Sequence, residues 1–403
     1  MALVWAAAAI VLCLVSIFSL TNSKNARPSR AEEAKSIKEA FKSINGQDVS
    51  TKTTMVDKDT KHLKISQLWI YPIKSLRGCQ VSNAVLTRQG FYLDRSFMLL
   101  KYDEQWPPTL QNMHIASFPS MCLFHTSIKD NDTLTVTYRR PGATSDDKAD
   151  ILEIPLEPRS FEKEQVSVVM HNSPTKAYDM GEKYSNWFSE RFGFKVVFVY
   201  WGGNPRPVLG NLPGKPSNQG PKFSNALIKV LSTFPGIGPM LRNNDDPVIA
   251  FNDCAPYLVI NEDSVADASN RLPSDVDMDL EKFRANIVVS GGTGAYSEDF
   301  WGELALGDAG LKITLTSNCG RCVSLNVDHK TGESGTGRDG QVLKLLSKDR
   351  RVDPGMKYSP IFGRYGFVAR KDEGGILKVG DEVVVSKKNK ERTRFYWPGM
   401  STT

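Results

Sequence analysis

The sequence predicts a mainly β chain with some helix (α+β), folded as two β-rich domains and preceded by one transmembrane helix. Three observations predict it. Short apolar runs such as KISQLWIYPI, FMLLKY and DTLTVTYRR follow one another from Leu63, and several alternate with the period of two of half-buried strands. Few stretches carry helical spacing. Ala2 to Leu20 is apolar and uncharged, and about 20 such residues suit a bilayer-spanning helix.

In chain order, residues 1–22 read as the anchor. No basic residue precedes the run, unlike the start of a secretory signal. Lys24, Arg27 and Arg30 follow it, which by the positive-inside rule leaves the body of the protein on the cytosolic side. Residues 23–61 read as a polar stalk and linker, with helix formers over 29–44. Residues 62–201 form a domain of many short strands, a barrel or a sandwich. It includes an amphipathic helix over 182–192, with Trp187, Phe188 and Phe192 on its apolar face, and a buried strand over 194–201. Residues 202–246, rich in Pro, Gly and Asn, read as an insertion with a short helix near 226–231.

The second domain spans 247–386. It has a strand over 257–260, a helix capped by Asn261 and running to about Leu272, and a strand over 286–290. A further strand, 311–316, leads into a cysteine pair, and a hairpin-like element over 376–385 bends at Gly380 and Asp381. Residues 387–403 read as a basic tail, solvated rather than a nucleic-acid arm. With a net charge of +6 and no dense basic face in the middle of the chain, no nucleic-acid partner is expected.

The six cysteines are sparse, which argues against a disulfide scaffold and for a reducing compartment. Cys319 and Cys322 alone lie close together, in SNCGRCVSLNVDHKTG. Half of a zinc site is one reading, but no second CxxC exists; His329 is a third ligand and no fourth is evident. A thioredoxin-like pair needs a helix after the cysteines, whereas VSLNV reads as a strand. A single thiolate for a soft metal is the third, with Arg321 beside Cys322 favouring the charged sulfur. Two buried structural cysteines remain the plain alternative.

The chain from about Gln67 to Val385 resembles the MOSC family, in particular the mitochondrial amidoxime-reducing components. The likeness rests on ordered motifs: QLWIYPIKSLRG (67–78), LDRSFML (93–99), FRANIVVSG (283–291), CGRCVSLNVDHKTG (319–332), PIFGRYGF and LKVGDEVVV. It implies an N-terminal β-barrel domain packed on a C-terminal MOSC β-barrel domain. It also implies a pterin-bound molybdenum cofactor (Mo-molybdopterin) in the cleft between them, with Cys322 as the metal-ligating cysteine and Cys319 secondary. Burying the cofactor's phosphate and pterin needs cations and hydrogen-bonding groups. Lys74, Ser75 and Arg95 fall at the family's cofactor-gripping positions in one half, and Arg284, Asn286 and Arg321 in the other. Asp253, in FNDCAP, matches an Asp near the metal and is a candidate proton relay. Cys254 and Ala255 stand where small hydroxyl residues are common, and Cys254 is kept as a cofactor-binding candidate and a second thiol. Gly320 replaces a frequent Ser, and Tyr365 matches a Tyr near the pocket.

The activity so implied is a molybdenum oxidoreductase that reduces N-hydroxylated compounds, amidoximes and hydroxylamines, with nitrite as a further candidate. No haem, flavin or nicotinamide motif is read, so electrons come from partners, by resemblance cytochrome b5 and its NADH-dependent reductase. The expected location is the mitochondrial outer membrane, with the catalytic part facing the cytosol. Two other readings stand beside it. One is sulfur transfer in cofactor maturation, as in cofactor sulfurases, which carry an additional pyridoxal-phosphate domain for which this chain has no room. The other is a non-catalytic, membrane-tethered cofactor carrier.

Overall fold

A computed structural model describes residues 30–45, 62–130, 132–142, 150–159, 164–214, 247–273, 277–337 and 339–402. The body is mostly β. The largest sheet has eight strands, and seven of them close on themselves. Ile287–Ser290, Tyr257–Asn261, Ile361–Val368, Leu311–Gly320, Trp301–Leu306, Glu382–Lys388 and Leu63–Ile70 follow round the ring, and Leu63–Ile70 pairs back onto Ile287–Ser290. The first strand of the chain therefore completes the barrel of the last third. Its alternation places Leu63, Ile65, Leu68 and Ile70 inside, with a register shift between Ile65 and Gln67. Val259, Ile287, Leu304 and Ile313 fill the same core.

The N-terminal half holds a five-stranded sheet, in which Val196–Tyr200 and Phe97–Asp103 are central, and a three-stranded sheet from Phe124–Lys129 to Asp150–Pro155. Helix Glu182–Phe192 packs between them. Phe188 lies against Phe124 and Phe198, and Gly193 ends the helix in the left-handed region, where a glycine meets no Cβ penalty.

Several expectations need correction. No helix among the described residues is long and apolar enough to cross a membrane, which overturns the membrane-spanning helix in the expected fold class. Residues 1–22, expected to form it, lie outside the described residues, as does the expected helix near 226–231. The helix that is described near the start, Arg30–Asn45, is polar on one side. It docks Phe41 and Ile44 into the core beside strand Asn83–Thr87, and Glu33 pairs with Arg370. Val323–Asn326 is a 3-10 turn and not a strand. The element over 376–385 is not a hairpin: Ile376–Lys378 pairs with Asn83–Thr87, while Glu382–Lys388 joins the barrel. Residues read as a solvated tail run across the surface, with Phe395 and Trp397 buried.

Candidate functional site

The site forms where the turn after Leu63–Ile70 meets the loops of both halves. Residues 71–76 dock on 94–97 through Arg95 N–H to Tyr71 O, Phe97 N–H to Pro72 O and Lys74 N–H to Phe97 O, each at 2.8–3.0 Å. Ser75, Arg95 and Arg284 all adopt left-handed backbone angles, with φ of 68°, 50° and 54°. Residues other than glycine rarely sit there, and such strain persists where surrounding contacts enforce it. Three of the predicted site residues share this departure.

Arg95 and Arg284 lie over the ring of Tyr71, with guanidinium carbons 4.3 and 4.5 Å from its centre. Arg95 holds both oxygens of buried Asp94, whose Oδ1 also accepts from Tyr71 N–H at 2.8 Å. Arg284 Nη1 donates to Leu76 O at 2.7 Å, but its Nη2 has no acceptor, and neither the Tyr71 hydroxyl nor Arg321 Nε has a partner. Buried polar groups are ordinarily satisfied. Burial, reinforced by neighbouring Arg95, lowers Arg284 to about 10.

Asp253 is 56% exposed at its side chain. Its Oδ1 meets Lys74 Nζ at 2.5 Å and His171 Nε2 at 3.5 Å. Burial of the group acts to raise the carboxyl, but Lys74 and His171 outweigh it and hold it well below the usual range. His114 stands nearby, its imidazole pushed down by partial burial and then by Lys74. Cys254, next in chain, is buried, and its thiol is pushed well up by that burial and by Asp253. Such a thiol is inert at neutral pH.

The cysteine pair diverges. Cys322 is exposed, while Cys79, Cys122, Cys254 and Cys319 are buried. Its Sγ lies 3.2 Å from Ser324 Oγ at the head of the 3-10 turn, and exposed Val323 follows it. Arg321 turns away from Cys322: its Nη1 donates to Cys319 Sγ at 3.1 Å and its Nη2 to Phe283 O at 3.0 Å. The guanidinium beside Cys322 in sequence thus braces Cys319. His329 faces Asp279 at 2.6 Å, and no cluster of three His, Cys, Asp or Glu able to hold a metal occurs among the described residues.

The remaining candidates are placed as follows. Asn286 is fully buried, its amide taken by Leu258 N–H and Trp69 O, so it ties barrel strands together. Tyr365 lies beside Cys319 and Cys254, its hydroxyl pushed well up by burial. Gly320 leaves the space that Met356 fills; a Cβ there would collide with that thioether.

Sequence reasoning missed Tyr71, His114, His171, Arg206 and Ser324. Arg206 is wholly buried, donating to Ala250 O at 2.8 Å, Met170 O at 3.3 Å and Asp253 O at 3.1 Å, and also to Asn252 O. Only its place in a polar, proline-rich stretch was visible beforehand.

The excess of positive charge suits an anion. The cations Lys74, Arg95, Arg206, Arg284 and Arg321 outnumber the carboxylates Asp94, Asp253 and Glu281, and the unpartnered donors at Arg284 and Arg321 are buried. Among the described cysteines Cys322 alone is exposed. A molybdopterin, with phosphate, ring donors and acceptors and a metal lacking a protein thiolate, fits that donor set.

The model of the MOSC domain matches residues 246–384, and that of the MOSC N-terminal beta barrel domain matches 62–195. The chain belongs to the MOSC family. Among MOSC relatives it is 29% identical to Homo sapiens mitochondrial amidoxime-reducing component 1, over 79% of this chain and 82% of that protein. It is 30% identical to the Rattus norvegicus component 2, with the same coverage. Bos taurus molybdenum cofactor sulfurase is 27% identical over 73% of this chain, but only 30% of that protein is covered. Among MOSC proteins, then, this chain is similar to amidoxime-reducing components through most of their length and to the sulfurase through a minor part.

Proposed function

We propose that this chain is a molybdenum-cofactor-dependent reductase of N-hydroxylated compounds, with amidoximes, hydroxylamines and nitrite as its substrate classes. The observation that carries the reading is the exposed thiol of Cys322 together with arginines, Arg284 and Arg321, whose buried donors lack protein partners among the described residues. The names of its relatives agree with the reading and support a mitochondrial location.

In this proposal Cys322 ligates the molybdenum of a Mo-molybdopterin cofactor. Arg284, Arg95 and Arg321 receive the anionic and polar parts of that cofactor, and Ser75 presents its backbone in the strained turn. The cofactor, when bound, supplies the two-electron chemistry. Lys74 keeps Asp253 ionised, and the carboxylate accepts an N–H of the substrate, while the proton for the departing hydroxyl comes from solvent. Exposed Val323 gives the mouth an apolar edge. Electrons come from cytochrome b5 and its NADH-dependent reductase.

The sulfurase reading finds less support, because the likeness covers 30% of that relative, at lower identity, against 82% of the Homo sapiens amidoxime-reducing component. A carrier without catalysis would bind the same cofactor. The test is turnover of an amidoxime with cytochrome b5, its reductase and NADH. The expected result is reduction to the amidine, abolished by Cys322→Ala. Full molybdenum occupancy without turnover in the wild type overturns the reading in favour of a carrier.

A further inference from the structure

Besides residues 1–61, the segments 196–245 and 385–403 lie outside the family matches, and the described parts of these two pack on each other. Asn211 binds the strap 389–402 twice, accepting from Tyr396 N–H at 2.7 Å and donating to Arg394 O at 3.1 Å. Gly210 faces Trp397, and a Cβ there would lie 2.7 Å from the indole. Further along, the strap is fastened by Phe395 N–H to both oxygens of Asp353 and by Thr402 N–H to Gly355 O at 2.7 Å. Phe395 and Trp397 join Val208, Ile249, Cys254 and Ala255 in one apolar cluster. That cluster lies beneath the loop that carries Asp253.

The strap also reaches the other side of the carboxylate. His171 and Asn172 form the two-residue turn between strands Gln165–Met170 and Ser173–Asp179, and both have positive φ, 50° and 62°. Such turns favour Asn and Gly, so a histidine there has to be held. Trp397 Nε1 donates to His171 O at 2.7 Å, and Asn172 Nδ2 donates to Pro398 O at 3.2 Å. Arg206 brackets the same place from within, binding the carbonyls of Met170 and Asp253 together.

We propose that the strap is part of the site: Trp397 is a positioning residue that fixes the His171 turn, so that His171 and Lys74 grip Oδ1 of Asp253 and leave Oδ2 to the substrate. This rests on the reading of Asp253 as a substrate-facing group. The printed contacts agree, since both cations meet Oδ1 and Oδ2 has no protein partner among the described residues. The charged or titratable groups around His171 are Asp253, Lys74, His114 and Arg206. A carboxylate held at one oxygen, half-exposed and ionised, recognises N–H groups, which favours amidoximes and N-hydroxyguanidines over substrates lacking an N–H neighbour.

The test uses the full-length holoenzyme. Trp397→Phe keeps an aromatic ring in the cluster but removes the N–H donor. It is expected to lower kcat/KM for an amidoxime about tenfold, as misplaced catalytic groups do, with molybdenum content unchanged. His171→Gln should give a similar loss, and the double variant should lose no more than either single, because the two act through one contact. Independent, additive losses would overturn the proposal. A second readout needs neither cofactor nor turnover: in the metal-free protein, the imidazole ¹H–¹⁵N resonances of His171 should move in Trp397→Phe and in Asp253→Asn. Unmoved resonances overturn the positioning claim even if the wild type proves inactive on amidoximes, an outcome that would instead sink the reductase reading. Should Trp397→Phe not fold, Asn172→Gly keeps the turn and breaks its bond to Pro398, and the same resonance shift is expected.

Discussion

At the scale of single residues, the site is defined by groups that the protein leaves unsatisfied. Arg284 is half-buried and strained, and its buried Nη2 has no acceptor. A buried donor left without an acceptor costs stability. Arg284→Ala is therefore expected to lower molybdenum content several-fold while leaving the melting temperature of the metal-free protein unchanged or higher. Metal analysis of the purified variant and thermal melts of its metal-free form check this, and unchanged molybdenum counts against the assignment. Arg95, Arg284 and Cys322 could be named as candidates from the sequence because they sit in ordered motifs. His171 and Arg206 were not, because a hairpin turn and a proline-rich segment bring them to Asp253 from afar and no local spacing marks that approach. Arg321 could be named as a candidate but its direction could not be read: the fold turns it to Cys319.

At the scale of elements, periodicity found what it could measure. The aromatic face of Glu182–Phe192 and the alternation in Leu63–Ile70 are local properties, and both elements form. Val323–Asn326 and residues 376–385 misled because short apolar runs look alike whether they pair, turn or part into different sheets. The 3-10 turn Ser297–Phe300 carries a prediction of its own. Burial raises the Glu298 carboxyl to about 7, against the bond it accepts from Ser264, and leaves Glu298 Oε1 without a partner. A carboxyl with a raised folded pKa contributes stability that is present below its unfolded value, about 4.3, and is lost as pH rises towards 7. Glu298→Gln should remove that loss. Relative to the wild type, the variant is expected to gain about 2–3 kcal/mol between pH 4.5 and 7.5, measured by denaturant unfolding at each pH. No difference in that slope would show Glu298 to be ionised without penalty.

At the scale of the whole molecule, the two halves of the chain do not divide as the sequence does. Leu63–Ile70 closes the barrel of the C-terminal third, and the turn that follows it, Tyr71 to Leu76, supplies Lys74 and Ser75 to the seam. Ligands from distant parts of the sequence therefore meet because one strand crosses over, which long-range pairing decides and local pattern does not. The segment after Lys388 shows the same limit: its basic residues suggested solvent, and its aromatic residues are what bind it down. The account depends on the exposed sulfur at that seam being the protein's bond to molybdenum. Molybdenum X-ray absorption of the loaded protein tests this most directly. The expected result is one protein sulfur ligand in the wild type, kept in Cys319→Ala and absent from any molybdenum retained by Cys322→Ala. An unchanged sulfur shell in Cys322→Ala, or its loss in Cys319→Ala alone, would contradict the account.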